Sequence, residues 1–304
     1  MRPDFLSPIF LGGSLGTFAA EGAFAALSNT LTKNPNKTPM LIDEIRFSQA
    51  LGAADANYTG AKWPFAYLQA DISLGGIPLT KGYVPLSVFG PNYINGAQAG
   101  FGGATPAQEL VLTWHLPKPL YVPPGVGILA NFVRKTPYPV GGDPANGITS
   151  PNMGMWVVGR SMPEGMPTPK KIWVPWVTST QVRTQTTRFV SRDSEMSNPH
   201  DEPLTVTQFI GWNCARTGTG MIPCPFTVQA TWSNNKMFIR DPTPFGMMFP
   251  SDRGYFNTRA TLMRGQFARF ELECTPLNSE TLEGATVGMV GYREINTPQG
   301  ADAK

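Results

Sequence analysis

The sequence predicts an all-β protein made of two tandem antiparallel sandwiches with long loops, preceded by an N-terminal arm, and three observations predict it. One passage is written twice. Asn34–Phe47 reads Asn-Pro-Asn-Lys-Thr-Pro-Met-Leu-Ile-Asp-Glu-Ile-Arg-Phe, and Asn198–Trp212 reads Asn-Pro-His-Asp-Glu-Pro-Leu-Thr-Val-Thr-Gln-Phe-Ile-Gly-Trp. In each, an Asn-Pro is followed four residues later by a second Pro that opens an apolar, β-leaning run. Next, Gly (32) and Pro (30) punctuate short apolar runs, while 41% hydrophobic and 11% aromatic content gives ample surface to bury, which excludes disorder. Finally, no amphipathic helix of about 12 residues or more can be found in the chain.

Further landmarks keep step with the repeated passage, as expected of an internal duplication. Tyr67–Ile72 answers Thr227–Trp232 around a shared Gln-Ala, and Val84-Pro85-Leu86 answers Thr243-Pro244-Phe245. Val122-Pro-Pro-Gly125 answers Leu262-Met-Arg-Gly265, and Gly154–Arg160 answers Val287–Arg293. The shrinking offset assigns the first copy longer loops, chiefly between Asn92 and Gln108 and between Lys135 and Asn152. The expected organisation is an arm (1–33), a first sandwich (34–160), a linker (161–197), a second sandwich (198–296) and a polar tail (297–304).

The arm is apolar, with Arg2, Asp4 and Glu21 as its only charges. Its single Arg, the prolines and Glu21 argue against a secretory signal, and no uninterrupted run reaches the ~18–20 apolar residues of a spanning helix. One reading is an arm whose Phe5, Leu6, Ile9, Phe10 and Leu11 find a partner outside their own domain, on a neighbouring subunit or a membrane. The other is a first strand followed by a short helix from Phe18 to Leu27.

Strand candidates of the first sandwich are Met40–Phe47, Ala66–Leu74, Tyr83–Phe89, Glu109–Leu116, Val126–Val133 and Met153–Arg160. Most show the half-buried alternation of antiparallel strands with one wet face, and prolines fall at run ends. The linker opens Pro-rich and continues Ile172-Trp-Val-Pro-Trp-Val177. Trp173 and Trp176 read as a plug in the seam between packed domains, with a glycan-stacking platform as the alternative. The second sandwich offers Leu204–Trp212, Phe226–Trp232, Met237–Arg240, Phe245–Phe249, Ala260–Met263, Gln266–Glu273 and Thr286–Arg293.

Charge and chemistry exclude more than they assign. Charged residues are 15%, against roughly 25% in an ordinary domain, so other subunits are expected to cover much of the surface. Net charge is +3 with no concentrated basic face, so direct nucleic-acid binding is not expected. Cys214, Cys224 and Cys274 are an odd number without C-x-x-C spacing and read as buried thiols of a reducing cytoplasm, although a Cys214–Cys224 bridge across a hairpin stays open. With His115 and His200 alone there is no material for a two-His metal site, and no nucleophile elbow, H-E-x-x-H or phosphate loop is present. Glu271 and Glu273 would share one strand face and could hold calcium or act as a glycosidase pair, but a solvated face is the favoured reading. No cofactor is expected beyond that structural calcium, and the chain is not read as an enzyme.

Two punctuated sandwiches on a cysteine-poor, weakly charged chain of this size resemble the double jelly-roll major capsid proteins of tailless icosahedral viruses. Compact bacteriophage forms with an internal membrane, the corticovirus type and its single-stranded-DNA relatives, are nearest in length. The resemblance covers Asn34–Arg293 at the level of architecture and strand punctuation and transfers no functional residue. It implies two eight-stranded-type jelly rolls per chain and homotrimers forming pseudo-hexameric capsomers. Neighbouring capsomers, penton and minor capsid proteins and an internal membrane are the implied partners, in a virion assembled from protein made in the host cytoplasm. The main rival is a two-jelly-roll amidase acting on glycans, and a third reading is a non-catalytic glycan-binding spike or lectin.

Overall fold

A computed structural model describes residues 8–17, 24–27, 29–50, 68–90, 109–134, 152–183, 189–191, 195–217, 220–222, 226–234, 236–250, 254–274 and 281–297. The regular structure of the described chain is almost entirely strand. The first unit holds β1 (Pro8–Thr17), β2 (Phe24–Leu27), the single turn α1 (Asn29–Thr32), β3 (Met40–Ala50), β4 (Leu68–Leu74), β5 (Ile77–Pro78) and β6 (Val84–Pro85). A 3-10 turn at Leu86–Val88 follows, then β7 (Glu109–Val122), β8 (Ile128–Arg134) and β9 (Asn152–Ser161). The second unit holds β10 (Lys171–Arg183), β11 (Phe189–Ser191), β12 (Glu195–Ser197), β13 (Leu204–Thr217), β14 (Gly220–Ile222) and β15 (Phe226–Trp232). It closes with β16 (Met237–Pro244), the single turn α2 (Phe245–Met248), β17 (Tyr255–Leu262), β18 (Phe267–Cys274) and β19 (Thr281–Asn296).

Each unit is two sheets face to face. In the first, β1-β9-β3-β7 packs against β2-β8-β4-β5, with β6 also on β4. In the second, β10-β19-β13 with β14 and β17 packs against β11-β18-β15-β16, with β12 also on β18. One wiring is therefore used twice, with β1, β9, β3 and β7 answered by β10, β19, β13 and β17. The β4–β8 and β15–β18 registers agree residue by residue: Ala70 pairs with Phe132 and Ala230 with Phe270, all four at most 1% exposed.

The duplicated Asn-Pro forms a clamp. Asn34 Nδ2 donates to the carbonyls of Thr38 (2.9 Å) and Val122 (3.2 Å), and Asn198 Nδ2 to those of Glu202 (3.0 Å) and Leu262 (2.9 Å). Each Oδ1 accepts at 3.0 Å from the amide two residues on, that of Asn36 or His200. Each main chain also exchanges bonds with the turn after β7 or β17, through Gly125 and Val126 or Gly265 and Gln266. Both glycines have φ +76, which a side chain rarely adopts. The clamp ties the start of one strand to the end of its neighbour, which is why the prolines recur at fixed spacing.

A second shared device sits nine residues further on. The registers of β3 and β13 slip between Ile42 and Glu44 and between Val206 and Gln208, a bulge at Asp43 in one unit and at Thr207 in the other. Gly159 and Gly291 pair with Ile42 and Val206 beside these bulges. The structure thus equates Gly159 with Gly291 and Ser161 with Arg293, and the sequence match of Arg160 to Arg293 is one residue out of step.

The structure corrects several boundaries. The arm is a strand of the first sandwich: β1 pairs with β9 along Pro8–Thr17, and Ile9 is buried in that core. Phe24–Leu27 is strand, not helix, pairing with β8. The linker supplies β10, β11 and β12, of which β10 pairs with β19 over its whole length, because it is the second copy of β1. The stretches Tyr83–Phe89 and Phe245–Phe249 hold a 3-10 and an α turn in place of full strands, each capped by a proline, Pro85 or Pro244. The two long first-copy loops lie outside the described residues.

Candidate functional site

The two sandwiches meet along the outward face of β10-β19-β13-β17. On β19 the residues Ala285, Val287 and Met289 point into the second core, so Gly288 and Val290 point out. The first sandwich presses its 3-10 turn onto this face. A Cβ added at Gly288 would lie 2.5 Å from Val88 Cβ, so the bare backbone of β19 makes the approach possible. Ile172, Val174, Val177, Ile210 and Val290 of the second unit are buried in the same cluster as the core of the first. Main-chain bonds join the units as well: Lys81 N–H donates to Val177 O, and Val177 N–H to Leu79 O, both at 2.9 Å.

Trp173 stands at the rim of this seam. Its ring meets Tyr292 edge-on with centroids 5.0 Å apart, and Lys118 Nζ of β7 lies 3.6 Å from the ring centre. That cation on a Trp face is a contact worth about 0.5–2 kcal/mol depending on exposure. Beyond it, a cleft of about 600 Å³ opens between the sandwiches, lined from one side by Phe89, Leu112 and His115 and from the other by Thr207, Tyr255 and Val290. Trp173 thus touches both units, Tyr292 of the second and Lys118 of the first. Trp176 needs correction: three residues along the strand it faces the other way, 3% exposed in the second core.

Trp176 packs edge-on against His200, ring centroids 4.3 Å apart. Burial first, and the neighbouring Arg293 second, push His200 down to about 4, against the opposite pull of Glu202 and Asp201. Arg293 is itself lowered by burial, offset by its 3.1 Å bond to Glu202. At neutral pH the cluster holds a neutral imidazole beside one arginine–glutamate pair.

Seam contacts missed by sequence reasoning are Val88, Gly288 and Lys118. A glycine inside the apolar run Val287-Gly288-Met289 was the available signal, since strand glycines mark close approaches. For Lys118 no local signal exists.

No protein-family model matches the sequence, and no curated protein matches it. Solved structures do. The structure of Sulfolobus Turreted Icosahedral Virus matches over 93% of this chain and 90% of its own, with TM-score 0.55 and 9% identity. The STIV MCP crystal structure matches over 95% and 97%, TM-score 0.53, 9% identity. PBCV-1 VP54, as fitted into a reconstruction of the virophage Sputnik, matches over 100% and 99%, TM-score 0.53, 11% identity. The fold is a double jelly roll.

Within this double jelly roll the remaining predicted residues fall as follows. Glu271 and Glu273 sit on β18, both partly exposed and paired across the sheet to Gln229 and Thr227. Among the described residues no three His, Cys, Asp or Glu side chains gather closely enough to hold a metal ion. Of the arm residues, Ile9 is buried and Leu11 packs on the first core, which corrects their expected outside contacts. Phe10 points out, 60% exposed and stacked on Trp156 at 6.2 Å. Phe5, Leu6 and Cys224 lie outside the described residues, as do the side chains of Cys214 and Cys274.

Proposed function

We propose that this chain is a viral major capsid protein, three copies of which form a pseudo-hexagonal capsomer of six jelly rolls. The observation that carries the reading is the pair of clamps at Asn34 and Asn198, with the bulges that follow them. They make two halves of one chain nearly interchangeable, as approximate sixfold symmetry from a trimer requires. The full-length likeness to the virus structures supports it, and 15% charged residues suit a surface covered by neighbours. In this reading the partners are other copies, then penton and minor capsid proteins, and the protein resides in the virion after synthesis in the host cytoplasm. A net charge of only +3 supports a shell backed by an internal membrane over one wrapped on bare nucleic acid.

Light scattering after size exclusion tests it. A particle three times the 33.0 kDa of one chain, with six-lobed rings by negative-stain microscopy, is the expected result. A chain that stays monomeric at every concentration, and forms no shell on crowding, would overturn it.

A further inference from the structure

The two outward sheet faces of the chain are equivalent by repeat, yet the described residues cover only one. On the second sandwich the face bearing Val177, Gly288 and Val290 lies beneath the 3-10 turn of the first. The strand registers map those positions onto Phe10, Trp156 and Val158 of the first sandwich, through Ile9 with Gly159 and Trp176 with Gly291. Among the described residues nothing takes the place of the turn here, and Phe10 remains 60% exposed. The element equivalent to the 3-10 turn is α2, opened by Pro244 as the turn is by Pro85. Its Met247 is the most exposed large apolar side chain among the described residues, at 76%. Plug and face are each built once more than the single chain uses.

We infer that α2 of one chain docks through Met247 onto the Phe10–Trp156 face of a second copy, repeating between chains the contact that Val88 and Gly288 make within one. The inference rests on the capsomer reading and supplies its contact. The chemistry differs from the template. Inside the chain a small valine meets bare backbone, whereas between chains an unbranched thioether would lie on two stacked aromatic rings, a favourable and adaptable sulfur–aromatic contact. Charged pairs rim the face, Arg160 with Asp43 at 3.0 Å and Arg46 with Glu44 at 2.7 Å, in the usual pattern of an apolar centre and polar border.

The test uses the full-length chain. Met247→Cys combined with Val158→Cys, treated with a short bismaleimide, is expected to give covalent dimers and trimers on a denaturing gel. The single variants and the wild type, with its three native cysteines, set the background. Met247→Glu is expected to raise the concentration needed for trimers by about tenfold or more while leaving the melting temperature of the monomer unchanged. A wild-type trimer that Met247→Glu does not weaken, with no cross-link above background, overturns the docking and leaves the capsomer reading standing. A wild type that never exceeds a monomer removes both. Phe10-dependent binding to lipid vesicles without any cross-link also overturns it, by assigning the face to a membrane.

Discussion

His200 holds in the second sandwich the place that Asn36 holds in the first, each giving its backbone N–H to a clamp asparagine. Asn36 spends its side chain on a 2.7 Å bond to Ser161 Oγ, whereas His200 and the Arg293 that replaces Ser161 leave two basic groups side by side. Burial first, and this arginine second, lower the imidazole to about 4 from 6.5. As pH falls through that window the unfolded chain takes up a proton that the folded chain refuses, so stability drops and then levels off. Because His200 is only half-buried, the loss should be about 1–2 kcal/mol. Urea melts from pH 7 to 4 on wild type and His200→Asn should diverge by that much. Parallel curves would remove His200 as the cause.

The clamps make a sharper demand. Asn34→Ala or Asn198→Ala strips donors from two carbonyls in the strand corner and should cost about 2–4 kcal/mol in either sandwich. Asp in place of Asn198 should cost at least as much, since it turns an acceptor toward the carbonyls of Glu202 and Leu262. Denaturant midpoints at constant slope are the measurement, and a change below 1 kcal/mol at both sites would refute the clamp as a structural anchor.

At the seam, Gly288→Ala places a methyl 2.5 Å from Val88 Cβ and should destabilise by about 1–3 kcal/mol. Val88→Ala alone should cost less than about 2 kcal/mol, and the double variant should recover part of the sum. A double-mutant cycle with no coupling would show that the sandwiches do not meet there in solution.

Gly159 and Gly291 should both resist alanine. A Cβ at Gly291 would come within 2.6 Å of Thr205 O, and one at Gly159 would run into Leu41 O still more closely. Gly159→Ala should therefore lower the melting temperature more than Gly291→Ala, by roughly several degrees each. The reverse order would mean that the two bulges relax differently.

Much of this architecture was legible because clamps and bulges have local requirements: Asn, Pro and Gly recur where a corner needs a side-chain cap, a fixed φ or a left-handed residue. Strand β1 was legible only as one of two readings, and β10 was not, for different reasons. Gly12, Gly13, Ser14 and Gly16 interrupt the apolar alternation of β1. In β10, Pro175 sits mid-strand, which an edge strand tolerates because one side of its ladder needs no donor. The turns at Leu86–Val88 and Phe245–Met248 are too short to show a helical period, so their apolar runs read as strand. Trp173 could be placed at a boundary from composition, but Lys118 and Val88 could not, since such contacts join residues far apart in sequence.

Because β1 pairs with β9 and β10 with β19, each sandwich closes on its own first and last strands, and the stretch from Met162 to Lys170 belongs to neither barrel wall. It is exposed for most of its length and anchored at its ends by Met162 N–H to Pro39 O and Thr297 N–H to Lys170 O. The consequence of this short tether is one of stoichiometry. It supplies the two similar sandwiches in equal number and holds them side by side, so that any ring of these chains alternates first copy with second and has a fixed direction of travel.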